Sequence, residues 1–161
     1  MEVTIANRRL KMIDGEIRIR AICRGKETKK EIWKPIKFCI SRGYDKCNIS
    51  IDGTKRIFKK HRLMYKLHNP DWDILDSSRD NHIDHINGIP LDNRIENLRV
   101  VTHQENHFNE TKAKGYYLRP NGRYQACIRI DNKLIALGTY DTEQQAHQAY
   151  INAKLIYHII L

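Results

Sequence analysis

The stretch over residues 82–106, HIDHINGIPLDNRIENLRVVTHQEN, constrains the fold more than any other part of the chain. Short apolar runs flank a polar loop over residues 87–97, which predicts two strands joined by that loop. Thr102 and Glu105 then stand at capping-box spacing, a pattern typical of the first turn of a helix. The segment therefore predicts a strand, an omega-like polar loop, a second strand and a helix, in that order.

Three polar side chains lie where these elements begin and end. Asp84 and His85 end the first strand, and Asn106 lies in the opening turns of the helix. A strand end and a helix start can converge, so a carboxylate and an amide oxygen could share a cation, and such hard oxygen ligands suit Mg²⁺. A histidine beside that cation can take a proton from water that attacks a phosphodiester. The pattern outlines a one-metal nuclease.

Two other interpretations of this stretch remain open. His82 and His85, followed by His103 and His107, have the pair spacing of a zinc site. Structural zinc sites normally use cysteine, and this interpretation leaves Asp84 without a role, so structural zinc is not expected. The second alternative is a solvated polar loop with no chemistry.

The overall charge of the chain favours a polyanionic partner. The 161 residues include 29 Lys plus Arg against 19 Asp plus Glu, for a net charge of +10 and a pI of about 9.5. Nucleic acid is the first expectation, and a soluble protein that happens to be basic is the alternative. The scattered cysteines and the lack of a signal-like or membrane-spanning apolar stretch predict a reducing, intracellular location and no membrane partner; these cysteines are Cys23, Cys39, Cys47 and Cys127.

Local signals predict an α+β fold rich in β-hairpins. Three dipeptides that tolerate positive φ predict two-residue hairpin turns: Asp14-Gly15, Asp52-Gly53 and Asn121-Gly122. The segment KKHRLMYKLHNP predicts a helix that ends at Asn69-Pro70, and the segment after it predicts a loop. A further helix is expected after Thr142.

The C-terminal part predicts three strands covered on one face by that last helix. The face toward the helix is expected to hold Tyr124, Ala126, Ile128, Ile130, Ile135 and Leu137, packed on Ala146, Ala149, Tyr150, Ala153 and Tyr157. The open face and its margin carry Tyr117, Arg119, Arg123, Gln125, Cys127, Arg129 and Lys133. Arg and Gln can contact guanine and adenine in a major groove. An ordinary solvated sheet face is the alternative.

The sequence HIDHINGIPLDNRIENLRVVTHQENHFN resembles the HNH nuclease motif of phage and intron-encoded HNH homing endonucleases, including the spacing of His85, Asn97 and Asn106. The resemblance implies a central ββα-metal nuclease in which Asp84 and Asn106 bind Mg²⁺ (or Mn²⁺) and His85 is the general base. It also implies that Asn97 bonds backbone and orients His85 without touching the metal. Many members have histidine where Asn106 stands, a departure that bears on the metal geometry.

Further positions match the same family. Asn93 and Arg99 fit its pattern as loop or phosphate contacts, and FKKHRLMYKLHNP resembles the helix that precedes the motif. His61 and Arg62 on that helix could then approach phosphate. A merely solvated helix face is the alternative for these two residues.

The C-terminal stretch is similar to an AP2 domain, a DNA-binding sheet with one helix, through GYYLRPNGRYQA and LGTYDTEQQAHQAY. The resemblance places five side chains at or beside DNA-facing positions: Lys114, Tyr117, Arg119, Arg123 and Arg129. Asn121 and Ala136 replace tryptophans that many AP2 domains use, so base specificity does not transfer.

Together these patterns predict three modules, a β-rich segment over 1–45, an HNH nuclease over 46–110 and an AP2-like module over 111–161, with a boundary within 109–115. The predicted function is a site-specific endonuclease, a homing enzyme or nickase, acting on double-stranded DNA as a monomer or homodimer. No small-molecule substrate or bound organic cofactor is expected. The family implies a phage- or intron-encoded protein in the cytoplasm or nucleoid of a bacterial host. The rival is a non-catalytic DNA-binding regulator with a degenerate HNH fold. The role of residues 1–45, as a DNA contact or as a scaffold for the nuclease, stays open.

Overall fold

The computed structural model describes residues 1–23, 26–27, 31–109, 113–130, 133–158 and 160. They divide into two compact units, Met1–Val100 and Val101–Leu161. Both contain helices and small antiparallel sheets, as the α+β prediction requires. No helix in these ranges is long and apolar enough to cross a membrane. Part of the predicted boundary segment, residues 110–112, lies outside the described residues, and the three-module division stays a prediction.

The first unit is built mainly from short strands. Its elements are β1 (Glu2–Ile5), β2 (Arg8–Ile13), β3 (Glu16–Arg20), β4 (Ile22–Cys23), β5 (Lys26–Glu27), β6 (Trp33–Pro35), β7 (Cys39–Ser41), β8 (Tyr44–Ile51), β9 (Thr54–Lys59), α1 (Lys60–His68), β10 (His82–His85), a 3₁₀ turn (Ile95–Asn97) and β11 (Leu98–Val101). Strands pair in the orders β1-β2-β3-β6, β4-β5, β7-β8-β9 and β10-β11. The last residue of β11 falls in the second unit.

Two of the predicted hairpin turns are confirmed in this unit. Asp14 and Gly15 join β2 to β3 with φ of 52° and 76°, and Asp52 and Gly53 join β8 to β9 with φ of 48° and 79°. Positive φ at both turn residues gives the twist that suits a two-residue hairpin. Two-residue turns also follow β1 and β7, and neither was predicted from the sequence. Ala6 has a φ of 48° in the first of them, a conformation that alanine rarely signals.

One hydrophobic core holds the first unit together. Alternate residues of β1–β3 and β8–β9 point into it, and α1 adds Leu63 and Leu67, each about 1% exposed. The buried members are Val3, Ile5, Leu10, Ile17, Cys47, Ile49, Ile51, Phe58, Leu63, Leu67 and Ile74. The N-terminal segment therefore packs on the same core as the segment that follows residue 45, which favours its interpretation as a scaffold. The thiols of Cys39, Cys47 and Cys127 are free.

The second unit has the three strands and the helix that the sequence predicts. Its elements are α2 (His103–Phe108), β12 (Tyr116–Leu118), β13 (Tyr124–Ile130), β14 (Lys133–Tyr140) and α3 (Glu143–Tyr157). The sheet order is β12-β13-β14, and α3 covers one face. Ile128 packs on Tyr150 and Ala153 in the core of this unit. A Cβ on Gly115 would lie 1.9 Å from Tyr150 Cγ, so only glycine fits there.

Three expectations for this unit were wrong. Asn121-Gly122 lies in a five-residue loop that Arg119 and Arg123 close, because Pro120 has no N–H to continue a ladder. Ile135 and Tyr157 are 42% and 52% exposed and do not enter the core. Leu137 packs against the core of this unit, as predicted, beside a bulge at Ala126/Cys127 that shifts the register between β13 and β14. Tyr157 is the last residue of α3.

Candidate functional site

The end of β10 presents two buried polar side chains side by side. Asp84 and His85 are each 6% exposed, and the next residue, Ile86, donates its amide to the Asn97 carbonyl at 2.9 Å. Successive side chains of a strand point to opposite faces, so the carboxylate and the imidazole face different neighbours. Those neighbours decide what each group can do.

The Asp84 carboxylate forms an ion pair with Arg99 on β11. Nε and Nη2 of Arg99 donate to Asp84 Oδ2 at 3.1 and 3.0 Å. Burying a carboxylate is costly unless it is paired and hydrogen-bonded. A cation at Asp84 would therefore share this carboxylate with Arg99 or displace Arg99 from it. In the structure the Arg99 guanidinium donates to Asp84. Contact between Arg99 and phosphate stays a prediction.

The neighbour of His85 fixes which ring nitrogen carries a proton. Nε2 of His85 lies 3.4 Å from Oδ1 of Asn93. Asn93 Nδ2 donates to the Leu91 carbonyl at 3.1 Å, which orients its oxygen toward His85. Because an amide oxygen only accepts, Nε2 is the protonated nitrogen, and Nδ1 carries the lone pair. The sequence matched Asn93 to the family only as a loop or phosphate contact and missed this orienting role.

His85 also packs against two other rings. The centroid of His61 on α1 lies 4.7 Å from that of His85 in an edge arrangement, and the Tyr44 centroid lies 5.6 Å from His61 and 6.3 Å from His85. Burial, with the nearby charges of His85 and Lys59, lowers the pKa of His61 to about 3. Burial also lowers the pKa of His85, although Asn93 and Asp84 oppose that shift. Both imidazoles are therefore neutral at neutral pH, which is the form a general base requires.

The loop after β10 is held by Asn97, which is 7% exposed. Its Oδ1 accepts from the Asn87 amide at 3.0 Å, and its Nδ2 donates to Asn87 Oδ1 at 2.9 Å and to the Asp92 carbonyl at 2.8 Å. Arg94, through two hydrogen bonds to Asp92, lowers the pKa of that carboxyl well below its usual range. Asn97 thus fixes the backbone that follows His85 from inside the loop.

The sequence predicts that Arg62 approaches phosphate. In the structure its guanidinium forms hydrogen bonds within the first unit. It donates to the carbonyls of Asn81 at 3.0 Å, Ile74 at 2.9 Å and Asp76 at 3.3 Å, and it lies 4.8 Å from the Trp72 ring centroid. These contacts hold the loop between α1 and β10. His61 is 4% exposed and faces His85. Phosphate contact by either residue stays a prediction.

Asn106, the second predicted metal ligand, lies on α2 in the second unit. The predicted capping box is confirmed, with Glu105 N donating to Thr102 Oγ1 at 3.2 Å and Thr102 N donating to Glu105 Oε2 at 2.7 Å. Among the described residues, no three His, Cys, Asp or Glu side chains are grouped as metal ligands would be. A carboxylate and an amide oxygen are suitable donors for Mg²⁺ when water and phosphate complete the shell. The pairing of Asp84 with Asn106 stays a prediction.

The open face of the β12–β14 sheet is exposed and only lightly bonded. Tyr117 is 49% exposed and donates its hydroxyl to Gln125 Oε1 at 2.8 Å. Arg123 pairs with Asp141 at 2.8 Å at the margin. The remaining predicted DNA contacts are exposed side chains on strands or adjoining loops: Lys114, Arg119, Arg129 and Lys133. The arrangement suits a polyanion, and base contact by any of these residues stays a prediction.

Comparison with known proteins adds one finding. Residues 58–108 match the family model described as HNH endonuclease, and this range contains α1, β10, β11 and α2. No curated protein and no solved structure matches the chain. The match supports a nuclease, and it covers every residue of the predicted catalytic set.

Proposed function

We propose that the chain is a site-specific DNA endonuclease of the HNH type that hydrolyses a phosphodiester with His85 as general base. The observation that carries the proposal is a buried, neutral histidine beside Asp84, oriented by Asn93, within the segment that matches the HNH endonuclease family. The net charge of +10 supports DNA as the polyanion.

In this mechanism His85 takes a proton from the attacking water through its unprotonated ring nitrogen, and the contact with Asn93 orients the ring. The hydroxide then attacks phosphorus, and the oxygen opposite to it leaves. Asn93 keeps the imidazole in one tautomer, and Asn97 fixes the loop that carries Asn93. These two are positioning residues, and His85 is the catalytic one.

Asp84 and Asn106 would hold a divalent cation, Mg²⁺ or Mn²⁺. When bound, such a cation polarises the phosphoryl oxygen and neutralises charge on the leaving oxygen. Asp84 supports this role because its buried carboxylate is a hard oxygen donor, pairs with Arg99 and stands next to His85 in β10. The rival function is a regulator that binds DNA without cutting it. The same ion pair favours that rival if Arg99 prevents Asp84 from binding a cation.

The segment over residues 111–161 is proposed to direct cleavage as an AP2-like DNA-binding module. Its three-stranded sheet leaves Tyr117 and Arg129 exposed on the face opposite α3. Joining a weakly specific nuclease to such a module raises its effective concentration at chosen sites. One active site per chain cuts one strand, so a monomer nicks and a homodimer makes a double-strand break. A homing role in a bacterial host completes the proposal.

The test uses supercoiled plasmids that carry a library of random genomic inserts. We expect Mg²⁺-dependent nicking of a subset of inserts, no nicking with EDTA, and ends that map to a common sequence. The His85→Ala variant is the matched negative. Absence of nicking across the whole library, with DNA binding retained, would establish the regulator instead.

A further inference from the structure

The outer face of the β7–β9 sheet carries unbalanced positive charge next to His85. Lys59, the last residue of β9, projects to the side opposite Phe58, which is buried in the core. Its cross-strand partner on β8 is Lys46. Like charges placed directly opposite each other in a sheet are destabilising. An anion bound between or beside the two ammonium groups would therefore stabilise this face.

The Lys59 ammonium is held in place by an aromatic ring. Nζ of Lys59 lies 4.2 Å from the centroid of the Tyr44 ring, a cation–π contact. That same ring lies 6.3 Å from the His85 ring, between centroids. The Tyr44 ring is therefore a neighbour of both Lys59 and His85, the proposed general base. An anion on Lys59 would therefore lie near the nuclease site, one aromatic ring away from the imidazole.

The electrostatics of Lys59 agree with this placement. Burial lowers the pKa of Lys59, and the nearby charges of Lys46 and Arg62, both cations, lower it further. The next residue is different, because Lys60 has a carboxylate partner, Asp45 Oδ2, at 3.6 Å, and lies over the Phe38 ring. The two adjacent lysines therefore differ in their surroundings. Lys60 pairs with a carboxylate, whereas Lys59 lies near two other cations.

We infer that Lys59 binds a DNA backbone phosphate at the nuclease site, next to His85. The ligand class is a phosphodiester, because the ammonium is a compact point charge that suits phosphate and lies within one aromatic ring of the catalytic base. Lys46 adds charge to the same face. The location of this phosphate at the scissile bond rests on the proposed function. Phosphate binding by Lys59 does not depend on that function.

Binding in EDTA tests the phosphate contact without cleavage. The probe is a fluorescent duplex of random sequence, titrated with the full chain at several salt concentrations. We expect Lys59→Met to lower the slope of log affinity against log salt by about 0.9, as the loss of one phosphate contact does. Lys59→Arg should keep the slope, and Lys60→Met, the neighbour already paired with Asp45, should match the wild type. A Lys59→Met slope equal to that of the wild type would overturn the inference. Lys59→Gln replaces it if the methionine variant does not fold, as judged by thermal unfolding.

Single-turnover nicking at saturating protein with Mg²⁺ tests the location. We expect Lys59→Met to slow nicking of a cleavable plasmid at least about tenfold, the loss of one transition-state contact worth about 1.4 kcal/mol, and Lys59→Arg to restore it within about threefold. A lowered salt slope with an unchanged saturated rate would place the phosphate away from His85 and overturn that part. If the wild type nicks nothing, the proposed function fails, and the EDTA arm still decides whether Lys59 binds phosphate.

Discussion

The end of β10 and the open face of the β12–β14 sheet hold polar side chains in opposite ways. At β10, Asp84 and His85 are each 6% exposed and have directed partners in Arg99 and Asn93. On the sheet, Arg129 is exposed and Tyr117 is half in solvent. Burial with fixed partners sets a protonation state and a geometry, which chemistry needs, whereas exposure leaves side chains able to adapt to a partner surface.

Removal of the proposed general base has the largest expected effect. His85→Ala should lower the nicking rate by about 10²–10⁴-fold, the usual contribution of a general base, while DNA affinity changes little. Asp84→Ala should also abolish Mg²⁺-dependent nicking. The measurement is nicking of a cleavable plasmid at saturating protein, with His68→Ala on α1 as control. Full activity of both variants would remove these residues from the mechanism.

Asn97→Ala tests whether the loop after β10 depends on one buried side chain. The substitution leaves the Asn87 amide and the Asp92 carbonyl without this partner, which costs about 1–3 kcal/mol. We expect chemical denaturation to show that loss in the free energy of unfolding of the first unit. Asn87→Ala, at an exposed position of the same loop, should cost less. An equal cost for the two variants would contradict the central role of Asn97.

The neutral state of His61 predicts an acid dependence of stability. Its pKa is about 3 in the folded protein and about 6.5 when unfolded. The unfolded chain therefore binds more protons between these values, so stability is fully present above pH 6.5 and falls as the pH drops toward 3. The slope reaches about 1.4 kcal/mol per pH unit. His61→Gln should lessen that slope in denaturation measured from pH 7 to 4, the remainder coming from His85, whose pKa is also lowered, and His68→Gln on the same helix is the control. An unchanged slope would show that His61 is not buried as a neutral ring.

The smallest expected effect belongs to the open sheet face. Arg129→Ala should leave the fold intact, because the side chain is exposed, and should lower the salt slope of DNA binding by about 0.9. Arg119→Ala should behave alike. The measurement is duplex binding in EDTA, and Lys154→Ala on α3, away from this face, is the control. An unaltered slope for both arginine variants would remove this face from the DNA interface.

Local signals in the sequence were sufficient for much of the fold. Asp14-Gly15 and Asp52-Gly53 marked their turns because a positive φ at both positions suits these residues, and Thr102 marked the start of α2 through its capping box. The turn at Ala6 gave no such signal, since nothing in alanine favours the left-handed region.

The candidate site was predicted only where its residues follow one another along the chain. Asp84, His85 and Asn97 lie in one motif, and their placement follows from a strand and its loop. The contacts of Tyr44 and His61 with His85 join three elements distant in sequence, so no local pattern announces them. The bonds of Arg62 to three loop carbonyls depend likewise on the path of a loop without regular structure.

The shared core of the first unit limits how this protein can be rearranged by recombination or by engineering. Val3 and Leu10 contribute to the same buried cluster as Ile51 and Leu63. A transplant that begins at residue 46 would carry His85 and leave behind four of the eleven buried residues of this core. The smallest portable nuclease is therefore expected to begin at the first strand, so an insertion or fusion at the junction near residue 45 would cut through a folding unit.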